Sequence, residues 1–407
     1  NEQAHIMKDH CINCGHCLEV CPQNAKTFAS DMDRVKGYLR QGMRTIISIA
    51  PSYLGVLEYD KPGQVVDALK RLGFYEVRET AEGAALVTKE YARLLLEGQM
   101  ENIITTCCPS VNDLIEKYYP SLVPFMAPVV SPMVAHGRLI KSIYGEDVKV
   151  VFLGPCIAKK EEAIGDERVR GAIDAILTFE EITRWWRAEG IDIHQCFDQP
   201  MGNPSPEVNR LYPVSGGVIQ SVLAGTEEDS YYKVHIDGLK NCMELFEELK
   251  KGEIRNCFFE VNVCEGGCIK GPTVNDEFIS RFKVKLDMEE SIAREPAARR
   301  QMEPVWENVH FGKRFEDHSP RDLQPTEEQI REILRMTNKF KPEDELNCGA
   351  CGYPTCREKA IAVFQHKAEV SMCIPFMHEK AESLSNLVME TSPNMVLIVD
   401  KDMKIME

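Results

Sequence analysis

Sixteen cysteines constrain this chain more than any other feature, because most of them fall in closely spaced groups. The first group reads CINCGHCLEVCP, and the last reads CGACGYPTC followed at a distance by SMCIP. Between them lie TTCCPSV, GPCIAKKEE and VNVCEGGC. Clustered thiols of this kind indicate iron–sulfur binding rather than a disulfide framework. The other three, Cys196, Cys242 and Cys257, follow no spacing pattern and are predicted to be core residues.

Length and charge narrow the class of protein further. A chain of 407 residues exceeds one ordinary domain, so we expect two or three. The net charge of -16 argues against nucleic acid and anionic membranes as partners. No apolar run approaches the ~18 residues of a membrane span, and the start lacks a signal-peptide pattern. We therefore expect a cytoplasmic protein whose thiols stay reduced.

Strand-like and helix-like runs alternate through the middle of the chain. Buried strands are predicted at RTIISIAP, NIITTCCP, VKVVFLGPC, IDAILTF and NCFFEVNVC, with a helix at QVVDALKRLGF. This rhythm indicates an α/β fold with parallel sheets and flanking helices. Three of the strands end at a cysteine, and open α/β sheets place their sites at these carboxyl ends.

The last cysteine group supplies four thiolates for a 4Fe–4S cube. In the first group three closely spaced thiolates would hold one cube, and its fourth ligand would come from elsewhere. In two-cluster ferredoxins the fourth cysteine of a CxxCxxCxxxCP motif serves the other cluster, so we expect the chain to begin partway through such a module. A zinc knuckle is the alternative for the first group. The candidate ligands are Cys11, Cys14, Cys17 and Cys21 in the first group, and Cys348, Cys351, Cys356 and Cys373 in the last.

The central segments contain four candidate ligands for one further cube. Cys264 and Cys268 are expected to lie one helical turn apart and to face one side. Gly266 and Gly267 allow backbone to approach a bulky inorganic group. Lys159 can lie over the same site as a cationic donor. The four candidate ligands are Cys108, Cys156, Cys264 and Cys268.

The three central motifs resemble the signatures of the iron-only (FeFe) hydrogenases, which read TSCCPxW, MPCxxKxxE and ExMACxxGCxxGGGQP. The resemblance covers about residues 1–275 and implies a two-lobed catalytic domain. It also implies an H-cluster, in which a 4Fe–4S cube adjoins a diiron unit with carbon monoxide, cyanide and azadithiolate ligands. The four central cysteines would hold the cube, and Cys268 would bridge to the diiron unit.

The resemblance assigns further roles around the diiron unit. Lys159 would hydrogen-bond a cyanide, as would the turn formed by Ala50, Pro51 and Ser52. Cys107 would pass protons between solvent and the bridgehead amine. A thiol beside a cationic, metal-rich site can have a pKa suited to this relay. The alternative for Cys107 is a buried, inert cysteine.

Several positions depart from the family pattern. Gly154 and Asn262 replace methionines, Val111 replaces a tryptophan, and KGPTV replaces the GGGQP tail. The family's proton path uses a serine and two glutamates after the relay cysteine. Alignment without gaps from Cys107 places Ala127 at the serine and Val87 at one glutamate. Glu90 remains at the other glutamate position. Because Ala127 and Val87 carry no proton-bearing group, proton transfer is expected to be slow.

The C-terminal region points to a subgroup of the family. SPNMVLIVDKDMKIME is similar to the start of a PAS sensor domain, and a helix precedes it. The alternative is an ordinary amphipathic helix followed by a hairpin. One helix face, which would suit a parallel dimer, carries Met377, Ala381, Leu384, Val388 and Thr391. The chain is thus identified as similar to sensory iron-only hydrogenases.

The domains predicted from these patterns follow in order. Residues 1–42 form a ferredoxin-like module, 43–290 the H-cluster domain and 291–337 a connecting segment. Residues 338–378 form a second 4Fe–4S module, and 379–407 a signalling helix with the start of a PAS-like domain. A helix at PTEEQIREILRMTNKF is expected to begin with a capping box of Thr326 and Gln329.

The resemblance implies an H2-sensing enzyme of low activity in an anaerobic setting. Its partners would be H2 and protons, a redox protein such as ferredoxin, maturation proteins and a signalling domain or protein. One alternative is a non-catalytic iron–sulfur assembly protein, against which Cys107 and Lys159 argue because a bare cube needs neither. The other alternative is a metabolic, ferredoxin-linked hydrogenase, against which the interrupted proton path argues.

Overall fold

The computed structural model describes residues 6–23, 25–202, 208–225, 229–274, 280–294, 309–320 and 322–391, together with 401 and 404. The chain consists of two compact units, Asn1–Ser319 and Pro320–Glu407. The predicted strand, turn and strand of the PAS-like region lie outside the described residues, as do the side chains of Leu384, Val388 and Thr391.

Seven strands form two parallel sheets in the described part of the first unit. The first sheet has the order β2-β1-β4-β5, and the second has the order β3-β7-β6. These two parallel sheets confirm the predicted α/β fold. The strands are β1 (Thr45–Ile49), β2 (Glu76–Glu79), β3 (Asn102–Ile104), β4 (Lys149–Gly154), β5 (Ala175–Thr178), β6 (Tyr232–Asp237) and β7 (Cys257–Asn262).

Helices pack on both sheets, and three α-helices lie in the described part of the second unit. In the first unit they are α1 (His16–Glu19), α2 (Met32–Arg40), α3 (Tyr53–Val56), α4 (Gly63–Arg71), α5 (Ala81–Glu97), α6 (Pro109–Tyr118), α7 (Pro132–Tyr144), α8 (Ala158–Ile164), α9 (Phe179–Ala188), α10 (Gly217–Leu223), α11 (Leu239–Lys250) and α12 (Arg281–Arg294). In the second unit they are α13 (Glu327–Arg335), α14 (Cys356–Phe364) and α15 (Ile374–Thr391).

The second sheet separates two apolar cores. Successive side chains of a strand point to opposite faces. Accordingly, Ile103 and Phe258 belong to the core around the first sheet, whereas Ile104 and Phe259 belong to the core beneath α6 and α11. The central strand of the second sheet, β7, is therefore buried on both faces, as its continuous apolar run predicts. The predicted core residues Cys196, Cys242 and Cys257 are buried.

Two domain boundaries differ from the sequence-based expectation. Val35 of α2 is fully buried in the first core, and Asp31 accepts a hydrogen bond from the backbone of Ile176. The end of the predicted ferredoxin-like module thus packs with the first sheet of the first unit. The predicted connecting segment is divided, because Ile330 and Leu334 of α13 pack on α14 of the second unit. The capping box of α13 forms as predicted.

The described helices include none that is both long and apolar enough to span a membrane.

Candidate functional site

Four parallel strands deliver the central motifs to one end of the two sheets. β1 leads into residues 50–52, β3 into Cys107 and Cys108, β4 into Cys156, and β7 into Cys264. Cys108 caps α6, and Cys156 lies just before α8. Because carboxyl ends of parallel strands share an edge, the fold brings these distant segments together.

The thiols of the four central cysteines lie close enough to perturb one another. Burial is the main cause that raises the pKa of the Cys264 thiol, and the other three thiols raise it further. Burial, Cys156 and Cys108 raise the pKa of Cys268. Burial and Cys108 raise the pKa of Cys156 to about 11. Ionising four neighbouring thiols is unfavourable unless a cationic group binds them, and the iron atoms of a cluster supply that charge.

The segment from Cys264 to Cys268 is not the helical turn expected from its spacing. Gly266 and Gly267 have φ angles of 83° and 88°, and a short 3-10 helix begins only at Cys268. A side chain at Gly267 would place its Cβ 2.4 Å from the carbonyl oxygen of Pro213. Left-handed backbone and close packing, rather than helical periodicity, bring the two thiols to one site.

The ammonium group of Lys159 reaches the same site. Its Nζ donates to the carbonyl oxygen of Cys107 at 3.0 Å and to Oε2 of Glu162 at 2.8 Å. Burial disfavours the charge, but Glu162 and Cys156 outweigh burial and raise the pKa of Lys159. A buried ammonium held in this way can donate to an anionic ligand of a cofactor.

Residues 50–52 form a buried turn after β1. The Ser52 side chain is fully buried, and among the described residues its Oγ has no hydrogen-bond partner. A buried hydroxyl left without a partner costs about 1–3 kcal/mol. This orphaned hydroxyl, the clustered thiols and Lys159 together fit a bulky cofactor with polar ligands at its periphery.

Cys107 has different neighbours from Cys108. Its Sγ lies 3.2 Å from the hydroxyl of Tyr91, which also accepts a hydrogen bond from the backbone N–H of Thr106 at 3.0 Å. Burial raises the pKa of Cys107 to about 12. The group is therefore a neutral thiol near pH 7, a form that can hold and donate a proton.

A buried carboxyl group also lies near Cys107. Burial raises the pKa of Glu260 to about 7, and Glu260 interacts electrostatically with Cys107 and Tyr212. The backbone N–H groups of Gly216 and Ile219 donate to its two oxygens at 2.8 and 2.9 Å. The glycine-rich segment VSGGVIQSV thus holds this carboxyl group.

Sequence analysis missed Tyr91, Tyr212 and Glu260. Glu260 had a signal, because a glutamate interrupts the apolar strand CFFEV. Tyr91 follows Val87 by four residues, so both share one face of α5. The contact of Tyr91 with Cys107 depends on a tertiary approach of two elements, and no local pattern reveals it.

The three positions that align with the family's proton path do not lie along one chain of polar side chains. Val87 and Ala127 are fully buried in the apolar core. Glu90 lies nearer the surface, where it accepts a hydrogen bond from Arg93 at 3.0 Å. Within the described residues, no hydrogen bond joins Glu90 to Cys107. These three positions therefore provide no continuous polar path.

The first cysteine group packs against α6 of the first unit. Lys117 Nζ donates to the carbonyl oxygen of Cys11 at 2.6 Å, and Asn13 donates to Asp113 at 2.9 Å. Cys14 packs on the same apolar core as Cys108. Burial raises the pKa of Cys14, and the thiols of Cys11 and Cys17 raise it further, so these three thiols are neighbours.

Cys21 has separate surroundings. The backbone N–H of Ala25 donates to its Sγ at 3.3 Å, and this bond, followed by that of Gln23, lowers the pKa of Cys21.

The last cysteine group lines a cavity in the second unit. The residues that line this cavity include the four cysteines Cys348, Cys351, Cys356 and Cys373, together with Lys339 and Lys359. Cys356 begins α14, where its backbone N–H has no carbonyl of a preceding helical turn to bond. That N–H instead donates to Asn347 Oδ1 at 2.8 Å. The cavity therefore has four thiols and two ammonium groups around it.

A single metal ion and a 4Fe–4S cube need different arrangements of cysteines. Among the described residues, no three histidine, cysteine, aspartate or glutamate side chains are placed to hold one metal ion. A tetrahedral zinc site needs its ligands about 2.3 Å from one atom. The cysteines of a cube bind different iron atoms and can lie further apart.

Comparison with protein families agrees with this geometry. The model of the iron only hydrogenase large subunit, C-terminal domain, matches residues 43–272, more than half of the chain. A 4Fe-4S binding domain matches residues 4–27, and an Fe-S cluster domain matches residues 344–375.

Individual relatives include both hydrogenases and assembly proteins. The chain is 27% identical to iron hydrogenase 1 of Clostridium pasteurianum, over 69% of this chain and 67% of that protein. It is 21% identical to cytosolic iron-sulfur assembly component 3 of Bos taurus, over 66% and 72%. It spans 55% and 61% of two further curated hydrogenase subunits.

A solved structure shares the fold. A single-residue variant of the FeFe-hydrogenase HydA1 from Chlamydomonas reinhardtii superposes with a TM-score of 0.59. The match covers 72% of this chain and 100% of that chain at 17% identity.

Proposed function

Since this chain belongs to the family of the iron-only hydrogenase large subunit, we propose that it is an H2-sensing hydrogenase with slow, reversible turnover. The observation that carries the proposal is the placement of the Cys107 thiol and the Lys159 ammonium beside four clustered cysteines. A bare iron–sulfur cube would require only the four thiols.

The central site fits the H-cluster, residue by residue. Cys108, Cys156, Cys264 and Cys268 would hold the cube, and Cys268 would also bridge to the diiron unit. Lys159 and residues 50–52 would donate to its cyanide ligands. When bound, the cofactor supplies a Lewis-acidic iron and a basic amine for heterolytic cleavage of H2.

Cys107 is the proposed proton relay. Because its raised pKa keeps Sγ protonated near pH 7, Cys107 would release a proton only as it accepts another. Tyr91 holds Sγ in place, and the Thr106 N–H in turn orients the Tyr91 hydroxyl. The Lys159 bond to the Cys107 carbonyl fixes the backbone of the same residue.

Slow turnover follows from what lies beyond Cys107. Val87 and Ala127 offer no proton-bearing group, and Glu90 is engaged by Arg93. Glu260, with a pKa of about 7, is the proposed next proton acceptor. A path that uses one buried carboxyl group, without a chain of polar side chains, requires intervening water.

Electrons would leave through the other clusters. The first group shares an apolar core with Cys108, so a cluster bound by Cys11, Cys14 and Cys17 would lie near the cube. Cys21 would ligate a further cluster. The last group would hold a second 4Fe–4S cluster, whose redox state would signal through the helix and PAS-like region at 379–407. A ferredoxin-type protein would exchange electrons, and maturation proteins would install the diiron unit.

A second candidate function is that of a non-catalytic iron–sulfur assembly protein. The similarity to cytosolic iron-sulfur assembly component 3 favours it. In that case the four central cysteines would bind a cube without a diiron unit, and Cys107 and Lys159 would have no ligand to serve.

Infrared spectroscopy of the matured chain separates the two candidates. The hydrogenase is expected to show carbon monoxide and cyanide stretches that shift under H2. Cys268→Ala should remove these bands, whereas Cys196→Ala, at a buried cysteine outside the site, should retain them. A matured protein that contains iron but lacks these bands would support the assembly protein.

A further inference from the structure

Two lysines of the second unit are buried beside the last cysteine group. Lys339 is 9% exposed and Lys359 is 5% exposed. Lysine is seldom buried to this extent without a partner of opposite charge. Among the ion pairs of the described residues, neither forms one with a carboxylate. Both ammonium groups instead line the cavity that contains the four cysteines.

Lys339 is held with its charge against one cysteine. Its Nζ donates to the carbonyl oxygen of Thr337 at 3.0 Å, to Oγ1 of Thr337 at 3.3 Å and to Sγ of Cys373 at 3.5 Å. Three acceptors thus match the three N–H donors of an ammonium group. Asp344 is electrostatically near, but its carboxylate accepts from the backbone of Phe340 and Lys341.

Lys359 approaches the cysteine motif from α14. Its Nζ donates to the carbonyl oxygen of Val370 at 2.9 Å. It interacts electrostatically with Cys373, Cys351 and Cys356, and with Lys339. The charged partners of Lys359 are therefore thiols that a cluster would ionise and the second ammonium group, Lys339.

We propose that Lys339 and Lys359 raise the reduction potential of the 4Fe–4S cluster held by the last cysteine group, so that this cluster receives electrons from H2 oxidation. The inference rests on the proposed function, which assigns that cluster to Cys348, Cys351, Cys356 and Cys373. It assigns a new role to two residues that contribute no ligand.

The physical reason is the change of charge on reduction. One electron enters the cluster, no bond to it forms or breaks, and its negative charge increases by one. A nearby buried cation stabilises the reduced cluster more than the oxidised one, because low polarity strengthens the attraction. Cleavage of each H2 supplies two electrons and two protons, and the protons leave at the central site.

The test measures the midpoint potential of this cluster in the full, cluster-loaded chain. The electron paramagnetic resonance signal that Cys351→Ser removes identifies the cluster, and redox titration gives its midpoint. Lys339→Met and Lys359→Met are each expected to shift the midpoint to a more negative potential. The double variant should shift it further than either single variant.

Two controls separate the buried charges from general charge loss. Lys341→Met removes an exposed lysine from the same loop and should leave the midpoint unchanged. Lys339→Arg retains the charge and should keep the midpoint near that of the wild type. Equal midpoints in wild type, Lys339→Met and Lys359→Met would overturn the proposal, as would an equal shift in Lys341→Met.

Loading of the cluster is measured separately as iron and sulfide content. If Cys351→Ser leaves both contents unchanged in the wild-type background, the cluster assignment itself fails, and the lysine proposal fails with it. If Lys339→Met does not load, Lys359→Met decides the outcome, because among the described residues the Lys359 ammonium group makes a single hydrogen bond to protein.

Discussion

Neighbouring residues Cys107 and Cys108 have opposite surroundings. Cys108 caps α6 and joins the set of clustered thiols, whereas Cys107 faces Tyr91 and Lys159. Adjacent side chains of extended backbone diverge, so one dipeptide can serve both a cluster and a proton relay. The chemical difference comes from these surroundings and not from the residue type.

Replacing the relay thiol should nearly abolish turnover. Cys107→Ala is expected to reduce H2 oxidation and evolution by at least ~10²-fold, because general acid–base groups contribute that much or more. The carbon monoxide and cyanide bands should persist, since Cys107 holds no metal in this proposal. Cys196→Ala, measured in the same assays, should retain activity. Unchanged turnover in Cys107→Ala would exclude the relay role.

Glu260 should titrate near neutral pH. Burial raises its pKa from 4.5 to about 7, so the carboxyl group is mostly protonated below pH 7 and ionised above it. Infrared difference spectra between pH 6 and pH 8 should show loss of a protonated carboxyl band. Glu260→Gln should lack this change and turn over more slowly.

Glu180→Gln is a matched control for this experiment, because Glu180 is exposed on α9 and pairs with Arg184. It should retain the infrared change and the activity. A carboxyl band that persists in Glu260→Gln would assign the titration to another group.

At the scale of elements, a glycine turn replaces a helix in the third cysteine motif. Cys264 and Cys268 have the spacing of a helical turn, but Gly266 and Gly267 adopt left-handed backbone between β7 and a short 3-10 helix. The physical reason is the close approach of the Pro213 backbone, which leaves no space for a side chain at Gly267.

Gly267→Ala should therefore disturb cluster binding. The new Cβ would lie 2.4 Å from the carbonyl oxygen of Pro213, so the backbone must shift next to Cys268, a proposed cluster ligand. Gly252→Ala is the matched control, because Gly252 also has positive φ, 74°, but has no heavy atom within 4 Å of a new Cβ. The control should cost about 1–2 kcal/mol of backbone strain.

The two variants are compared by measuring their iron content and their thermal stability. Gly267→Ala should lose iron and stability, and Gly252→Ala should lose a little stability with full iron. Equal iron content in both would show that the Pro213 contact does not control the cysteine geometry.

At the scale of the whole chain, the first cysteine group belongs to the same compact unit as the four central cysteines. Gly15 sits against Pro272 and Ile157, each of which lies close in sequence to a proposed cube ligand. In the proposed function, this packing would set the separation between the first cluster and the cube, and thus the route for electrons within the unit.

Gly15→Ala should slow this electron transfer. Its Cβ would lie 2.5 Å from Cγ of Pro272, and the proline ring cannot swing away freely. Gly42→Ala has a similar φ, 68°, but no heavy atom within 4 Å of the new Cβ. Under H2, the paramagnetic signal of the first cluster should appear more slowly in Gly15→Ala than in Gly42→Ala. Equal rates would argue that the packing is unimportant.

Local sequence patterns alone determined the candidate ligands, the parallel strands and the start of one helix. Cysteine spacing identifies the candidate ligands, apolar runs identify the parallel strands, and Thr326 with Gln329 marks the start of α13. These signals are readable because each depends on residues a few positions apart. The combined motifs also identify the family, which the match over residues 43–272 confirms.

Only the tertiary structure decided which side chains meet across the chain. Tyr91 beside Cys107, the backbone cradle of Glu260 and the two lysines beside Cys373 all join segments that are distant in sequence. Burial then sets their chemistry, because the pKa of a thiol or carboxyl group depends on what surrounds it. The sequence by itself determined the donors and the strands that carry them, whereas packing decided how protons and charge are arranged around them.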